Sequence, residues 1–242
     1  MHPFIEKQLL PIREHGTCTA AFLGDSVTHG VFECLADKSP VFDCDAVYHN
    51  VFRRRFADFG SSDAELNHAL KQKPVNIINA GINGDSSAGG YARIERDVIA
   101  KNHDLCVVNF GLNDVHGDLD RYITHMSLIF DKLSECRIPT IFLTCNMMNT
   151  RVIDELIPNP DYRVTAHRTA EMQNSGRLRS YIEAAMEVAA SKGVLIADCN
   201  AKWEKMSKEG IDTTMLLSNG INHPTRELHG LFADTLFEVM MK

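Results

Sequence analysis

Five short apolar runs, each followed by a longer stretch of helical periodicity, leave this chain few ways to fold. The runs are residues 17–23 (TCTAAFL), 75–79 (VNIIN), 105–110 (LCVVNF), 140–145 (TIFLTC) and 194–198 (VLIAD). Continuous apolar runs of this length suit strands that are covered on both faces, as in a parallel sheet. Residues 45–59, 91–101, 119–136, 168–192 and 226–240 space their apolar side chains as one face of a helix. Tyr122, Met126, Ile129 and Leu133 show the pattern best. Strand and helix alternating in this way predict a doubly wound α/β sandwich. No repeat, low-complexity tract or Pro/Gly/Ser-rich linker divides the sequence, so residues 1–242 are expected to form a single domain.

Charge and composition exclude several roles. The 25 Lys+Arg against 32 Asp+Glu leave a net charge of −7, which argues against a nucleic-acid partner, since such binding needs a basic surface. The longest basic run, Arg53-Arg54-Arg55, falls in a predicted helix and reads as a solvated face. No apolar stretch approaches the roughly 20 residues of a membrane span. The first residues, MHPFIEKQLLPIREHG, lack the basic start and apolar centre of a secretory signal, so a cytoplasmic protein is expected. Cys18, Cys106, Cys145 and Cys199 lie in or beside apolar runs and read as reduced, buried side chains. No CxxC, HExxH or zinc-type His/Cys spacing occurs, so no metal or other cofactor is expected.

Ligands of such sheets bind at the carboxyl ends of the strands. There the sequence gathers small and polar residues: Gly24-Asp25-Ser26 after the first run, Ala80 to Ser86 after the second, and Gly111-Leu112-Asn113-Asp114 after the third. Ser26 stands where a helix begins, a place that suits either a nucleophile or an N-cap. Its general base would be a histidine, and eleven are available. His223 stands out in the loop Asn219-Gly220-Ile221-Asn222-His223-Pro224 before the last helix; as a plain surface residue it would need no partner. His29 and His116 also lie near the rim, but His29 follows Ser26 by only three residues, on the same turn. Gly81 would let a backbone N–H approach a substrate, and Asn113 would offer an amide N–H; both also suit turns.

Taken together, Gly24-Asp25-Ser26, Gly81, Gly111-Leu112-Asn113-Asp114 and His223-Pro224 resemble the four ordered blocks of the GDSL/SGNH hydrolases. The resemblance implies a flavodoxin-like, three-layer α/β/α sandwich with a five-stranded parallel sheet. It implies metal-independent hydrolysis of a small-molecule ester through an acyl-enzyme. Ser26 would be the nucleophile and His223 the base. The oxyanion donors would be the N–H groups of Ser26 and Gly81 and the side chain of Asn113. Asp25 and Asp114 would lend supporting hydrogen bonds, while Asn83 and Asp85 would brace the Gly81 turn.

One position departs from that pattern. The family usually carries an Asp three residues before the His, and here Gly220 stands there. Three substitutes are open: Asn219, a backbone carbonyl in the loop, or a more distant acid such as Asp212. Such a group stabilises the imidazolium formed during attack, so its loss is expected to slow the reaction rather than abolish it. Glu33, Tyr48, His49 and Asn50 follow the first block, where side chains could reach the cleft, but read first as core or surface residues, and Trp203 reads as packing. Residues 146–173 form the longest irregular stretch, expected to lie near the rim as a lid or binding loop. An O-acetyl sugar is the leading substrate, with a lysophospholipid or thioester as alternatives. A carbohydrate-binding module with weakened catalysis and a nucleotide-binding domain are the rival readings.

Overall fold

A computed structural model describes residues 17–58 and 75–241. The reading of the first residues as lacking a secretory signal lies outside them. The strands in chain order are β1 (Cys18–Gly24), β2 (Val31–Cys34), β3 (Pro40–Phe42), β4 (Val75–Gly81), β5 (Leu105–Asn109), β6 (Thr140–Leu143) and β7 (Leu195–Ala197). The helices are α1 (Ser26–His29), α2 (Tyr48–Asp58), α3 (Ser87–Asp97), α4 (Leu119–Glu135), α5 (Tyr162–Asn174), α6 (Arg177–Ser191), α7 (Cys199–Lys208) and α8 (His229–Met241).

Five strands form one sheet in the order β4-β1-β5-β6-β7, and every neighbouring pair is parallel. Helices α2 and α8 pack together on one face, and α3, α4 and α6 on the other. Burial on both faces explains why β5 and β6 read as unbroken apolar runs: every residue in them is buried. The chain leaves β1 towards β4 and then crosses back to β5 on the far side of β1. That reversal opens a crevice at the carboxyl ends of β1, β4 and β5. The residues following these three strands are therefore neighbours in space.

Phe22 of β1 packs edge-on against Tyr48 and Phe52 of α2, and Trp203 is fully buried, as packing requires. Cys18, Cys106, Cys145 and Cys199 are core residues, as expected. Arg53 and Arg54 face solvent, while Arg55 turns to Asp234 of α8. No helix among the described residues is long and apolar enough to cross a membrane.

The structure corrects the sequence reading at three places. The stretch 168–192 is two helices, α5 and α6, broken at Gly176, whose φ of +79° no helix interior adopts. The third helix starts at Ser87, before its first apolar residue. A Cβ on Gly90 would lie 2.4 Å from the Phe110 ring, so glycine here permits close packing of α3 on the sheet. The antiparallel hairpin β2–β3 has no counterpart in the sequence reading, because its strands are only four and three residues long. Its position beside the crevice makes it the most consequential of the three.

Candidate active site

Ser26 is the first residue of α1. Asp25 caps that helix, its Oδ1 accepting from the N–H of Val27 at 3.0 Å. Asp25 is fully buried, and burial, with Asp114 and Asp85 adding to it, pushes its carboxyl up to about 7. The crevice thus holds a capping carboxyl beside the serine.

His223 arrives from the loop before α8. Its Nε2 lies 2.9 Å from Ser26 Oγ, and both side chains are nearly covered, Ser26 being 3% and His223 5% exposed. On the other side of the ring, Nδ1 lies 3.0 Å from the backbone oxygen of Phe32. A carbonyl can only accept, so Nδ1 carries the proton and the Nε2 lone pair faces the serine hydroxyl. Burial is the main influence on this imidazole and lowers its pKa to about 4. The ring is therefore neutral near pH 7, the state a proton acceptor needs.

The group that orients His223 is therefore a carbonyl of β2, outside the loop that holds the histidine. Asn219 acts on that loop's backbone. Its Oδ1 accepts from the N–H groups of Ile221, Asn222 and His223 at 3.0, 2.9 and 2.9 Å, drawing the loop around one oxygen. Asp212 is turned to Arg151 and to the N–H of Thr214. Asn146 also steadies the loop, donating to the oxygen of Asn222 at 2.9 Å. The stretch from residue 146, expected as a lid, thus begins as buried support: Asn146, Met147, Met148 and Asn149 are all covered.

Candidate donors for an anion follow three strands, β1, β4 and β5. The N–H of Ser26 has no acceptor among the described residues. Asn113 follows β5; its Nδ2 donates to the oxygen of Asp85 at 2.8 Å and keeps a second N–H. Asp114 accepts from the N–H and hydroxyl of Ser87 at 3.0 and 2.5 Å, binding this turn to the start of α3. Gly81 serves differently from the sequence expectation. Its N–H donates to Asn79 Oδ1 at 3.0 Å, and a Cβ there would lie 2.3 Å from the backbone nitrogen of His29. Gly81 is needed for β4 to approach α1, and its N–H is already engaged. Gly84, three residues on, has φ +76° and open space where a Cβ would stand, and its N–H has no acceptor among the described residues. Its flanking Asn-Gly-Asp turn was the sequence signal for it.

Arg93 was not foreseen. This buried side chain on α3 donates to the oxygens of Ala80 and Gly24 at 2.7 and 3.0 Å and pairs with Asp85 at 2.8 Å. It locks the ends of β4 and β1 to the turn that Asn113 also holds. Asp85 is a brace, as expected, and Asn83 joins it by donating its N–H to His29 Nδ1 at 3.2 Å. His29 thus supports the turn, and His116 lies half-buried after Asn113. Tyr48 and His49 bind the hydroxyl and the backbone oxygen of Thr28, and Asn50 binds the oxygen of Cys44. All three are structural. A cleft of about 160 Å³ opens beside Asn113, with Ser86, Ser87, Asp118 and Arg121 among its lining. A larger one, about 280 Å³, lies at the amino ends of β6 and β7, away from the reacting pair.

The packed histidines have a measurable consequence. Burial, their largest influence, lowers His49 and His223 to about 4 and His229 to about 3. Between pH 6.5 and 4 the unfolded chain takes up protons that the folded chain refuses, so stability present above pH 6.5 is lost as pH falls. Asp25 acts in the opposite sense, because its raised carboxyl takes up a proton in the folded state first. It offsets about one histidine, so these four groups together give a slope of roughly 3 kcal/mol per pH unit. Thermal melts from pH 7.5 to 4.5 should show a steep fall in Tm; a flat profile would mean these rings are not held neutral.

A profile of the GDSL-like Lipase/Acylhydrolase family matches residues 22–231. No curated protein sequence matches the chain. Among solved structures, an acetylxylan esterase from Geobacillus stearothermophilus is 18% identical, with a TM-score of 0.65 over 93% of this chain and 95% of that one. An α/β hydrolase from the metagenome of Lake Arreo is 17% identical, with a TM-score of 0.67 over 95% and 98%. The lipase/acylhydrolase from Enterococcus faecalis is 19% identical, with a TM-score of 0.60 over 93% and 96%. At these identities the likeness is one of fold: the parallel sheet with helices on both sides is that of the SGNH hydrolases.

Proposed function

The chain belongs to the GDSL-like lipase/acylhydrolase family and is thus a carboxylic ester hydrolase; we propose that residues 1–242 act as one catalytic domain, a serine esterase for small acyl groups such as the acetyl esters of sugars. The observation that carries the reading is the hydrogen bond of 2.9 Å between Ser26 Oγ and His223 Nε2, with Nδ1 held by the Phe32 carbonyl. In this mechanism His223 takes the serine proton as Oγ attacks the ester carbonyl. The oxyanion is met by the N–H of Ser26, the free N–H of Asn113 and the N–H of Gly84, which replaces Gly81 in that role. His223 then protonates the leaving alcohol, and water attacks the acyl-enzyme with the same ring as base.

Two features favour a small acyl group on a polar alcohol. The reacting pair is nearly covered, which suits a short acyl chain, and the neighbouring cleft is lined by hydroxyls and charges. Several similar structures are described as esterases of acetylated xylan or mannan, which agrees with this choice. The test compares p-nitrophenyl acetate, its palmitate analogue and acetylated xylo-oligosaccharides. We expect kcat/KM to fall by about two orders of magnitude or more from acetate to palmitate, because the covered Ser26–His223 pair favours a short acyl chain. Equal or better turnover of the palmitate would replace the acetyl reading with a lipid one.

A further inference from the structure

The imidazole of His223 meets a carbonyl where a carboxylate would supply negative charge, and the surroundings show what takes over. The carbonyl belongs to Phe32 on β2, and the next residue is Glu33. Arg226, three residues after His223, donates from Nη1 and Nη2 to the two Glu33 oxygens at 2.5 and 3.2 Å. Its Nε donates to Asp43 Oδ2 at 2.8 Å, and its guanidinium lies 4.5 Å over the Phe32 ring. One side chain thus grips both ends of the hairpin and the residue whose carbonyl faces the ring. The segment carrying His223 and Arg226 is itself fixed, with Ser218 N–H donating to the His223 oxygen at 2.8 Å and Thr225 N–H to the Leu216 oxygen at 2.9 Å.

We propose that Arg226 is a positioning residue for this reaction: by joining Glu33, Asp43 and the Phe32 ring, it fixes the Phe32 carbonyl under His223 Nδ1 and holds the Glu33 carboxylate within the field of the imidazole. The inference rests on the Ser26–His223 reading above. Two carboxylates against one guanidinium leave the cluster one negative charge, so it favours the imidazolium that forms as Ser26 attacks. An Arg fork suits the task better than Lys, because its planar donors fix two partners at set angles. Burial dominates the ring's proton affinity and lowers it, while the Phe32 carbonyl and then the Glu33 carboxylate pull the other way.

The test uses Arg226→Gln, Arg226→Lys and Glu33→Gln, with p-nitrophenyl acetate kinetics, thermal melts and proton NMR of the histidine Nδ1–H. A small displacement of a general base costs about a hundredfold. We expect that loss in kcat for folded Arg226→Gln, with KM within about twofold of wild type. Arg226→Lys should recover part of it, and Arg226→Gln combined with Glu33→Gln should lose no more than the worse single variant, as parts of one unit do. The Nδ1–H resonance, assigned by its absence in His223→Asn, should be lost to exchange in Arg226→Gln. Unchanged kcat with the resonance intact, additive losses, or a rise in KM alone would overturn the proposal. Should wild type prove inactive and unlabelled by a serine probe, the Ser26–His223 reading fails instead. The NMR comparison still judges the clamp: a resonance surviving in Arg226→Gln refutes it.

Discussion

Ser26→Ala is expected to lower kcat on p-nitrophenyl acetate by at least about four orders of magnitude, since removing the nucleophile of such a site leaves only binding and oxyanion donors. The alanine keeps the backbone N–H, loses one hydroxyl and adds no volume at a covered position, so the protein should stay folded. His223→Ala should cost a similar amount, because the serine hydroxyl is a weak nucleophile without its 2.9 Å proton acceptor. Joining the two changes should add little, as for any pair acting as a unit. Asn113→Ala should lose less, about 10²–10³-fold, the effect of one oxyanion donor. A fluorophosphonate probe gives an independent reading: labelling of wild type that vanishes in Ser26→Ala identifies the activated serine. Turnover that persists in a clean, folded Ser26→Ala preparation would remove Ser26 from the mechanism.

The sheet was legible because its strands are buried on both faces and so carry their signal in local composition. Residues 105–110 and 140–145 announce β5 and β6 without help from the rest of the chain. The places of Ser26, Asn113 and His223 at the rim were legible for a related reason, because each stands at a strand end or in a turn whose residue types are restricted. Gly81 shows the limit of that logic. The turn was located correctly, but which of its N–H groups is free depends on the Asn79 side chain and on the approach of α1, both set by tertiary contacts. The Phe32 carbonyl lay beyond reach of any pattern, since a backbone oxygen has no residue type to read. Arg93 and Arg226 are ordinary charged residues in the sequence, and Glu33 stands out there only for its nearness to the first block. Their partners are distant along the chain, as with Arg226 and Glu33, and only folding brings them together.

The missing aspartate can be tested by putting it back, and Gly220→Asp should harm the protein rather than repair it. Gly220 has φ +65°, a left-handed conformation that costs a side-chain-bearing residue roughly 1–2 kcal/mol. A Cβ there would also lie 2.7 Å from the Cβ of Leu156, near the backbone where little can yield. Overpacking of this kind adds about 1–3 kcal/mol. The total corresponds to a fall in Tm of roughly 4–10 °C for a chain of this size. No catalytic gain offsets it, because the new side chain would start out towards Leu156 while Nδ1 is already held by the Phe32 carbonyl. Shifting residue 220 would also disturb the turn that Asn219 gathers around its Oδ1, moving His223 away from Ser26. Gly220→Ala separates the causes, since it introduces the same Cβ without the charge. If steric strain governs, alanine should reproduce most of the drop in both Tm and kcat. A Gly220→Asp enzyme with raised kcat and an unchanged melt would show that the loop can house a carboxylate, and that the carbonyl of β2 is not the ring's true partner.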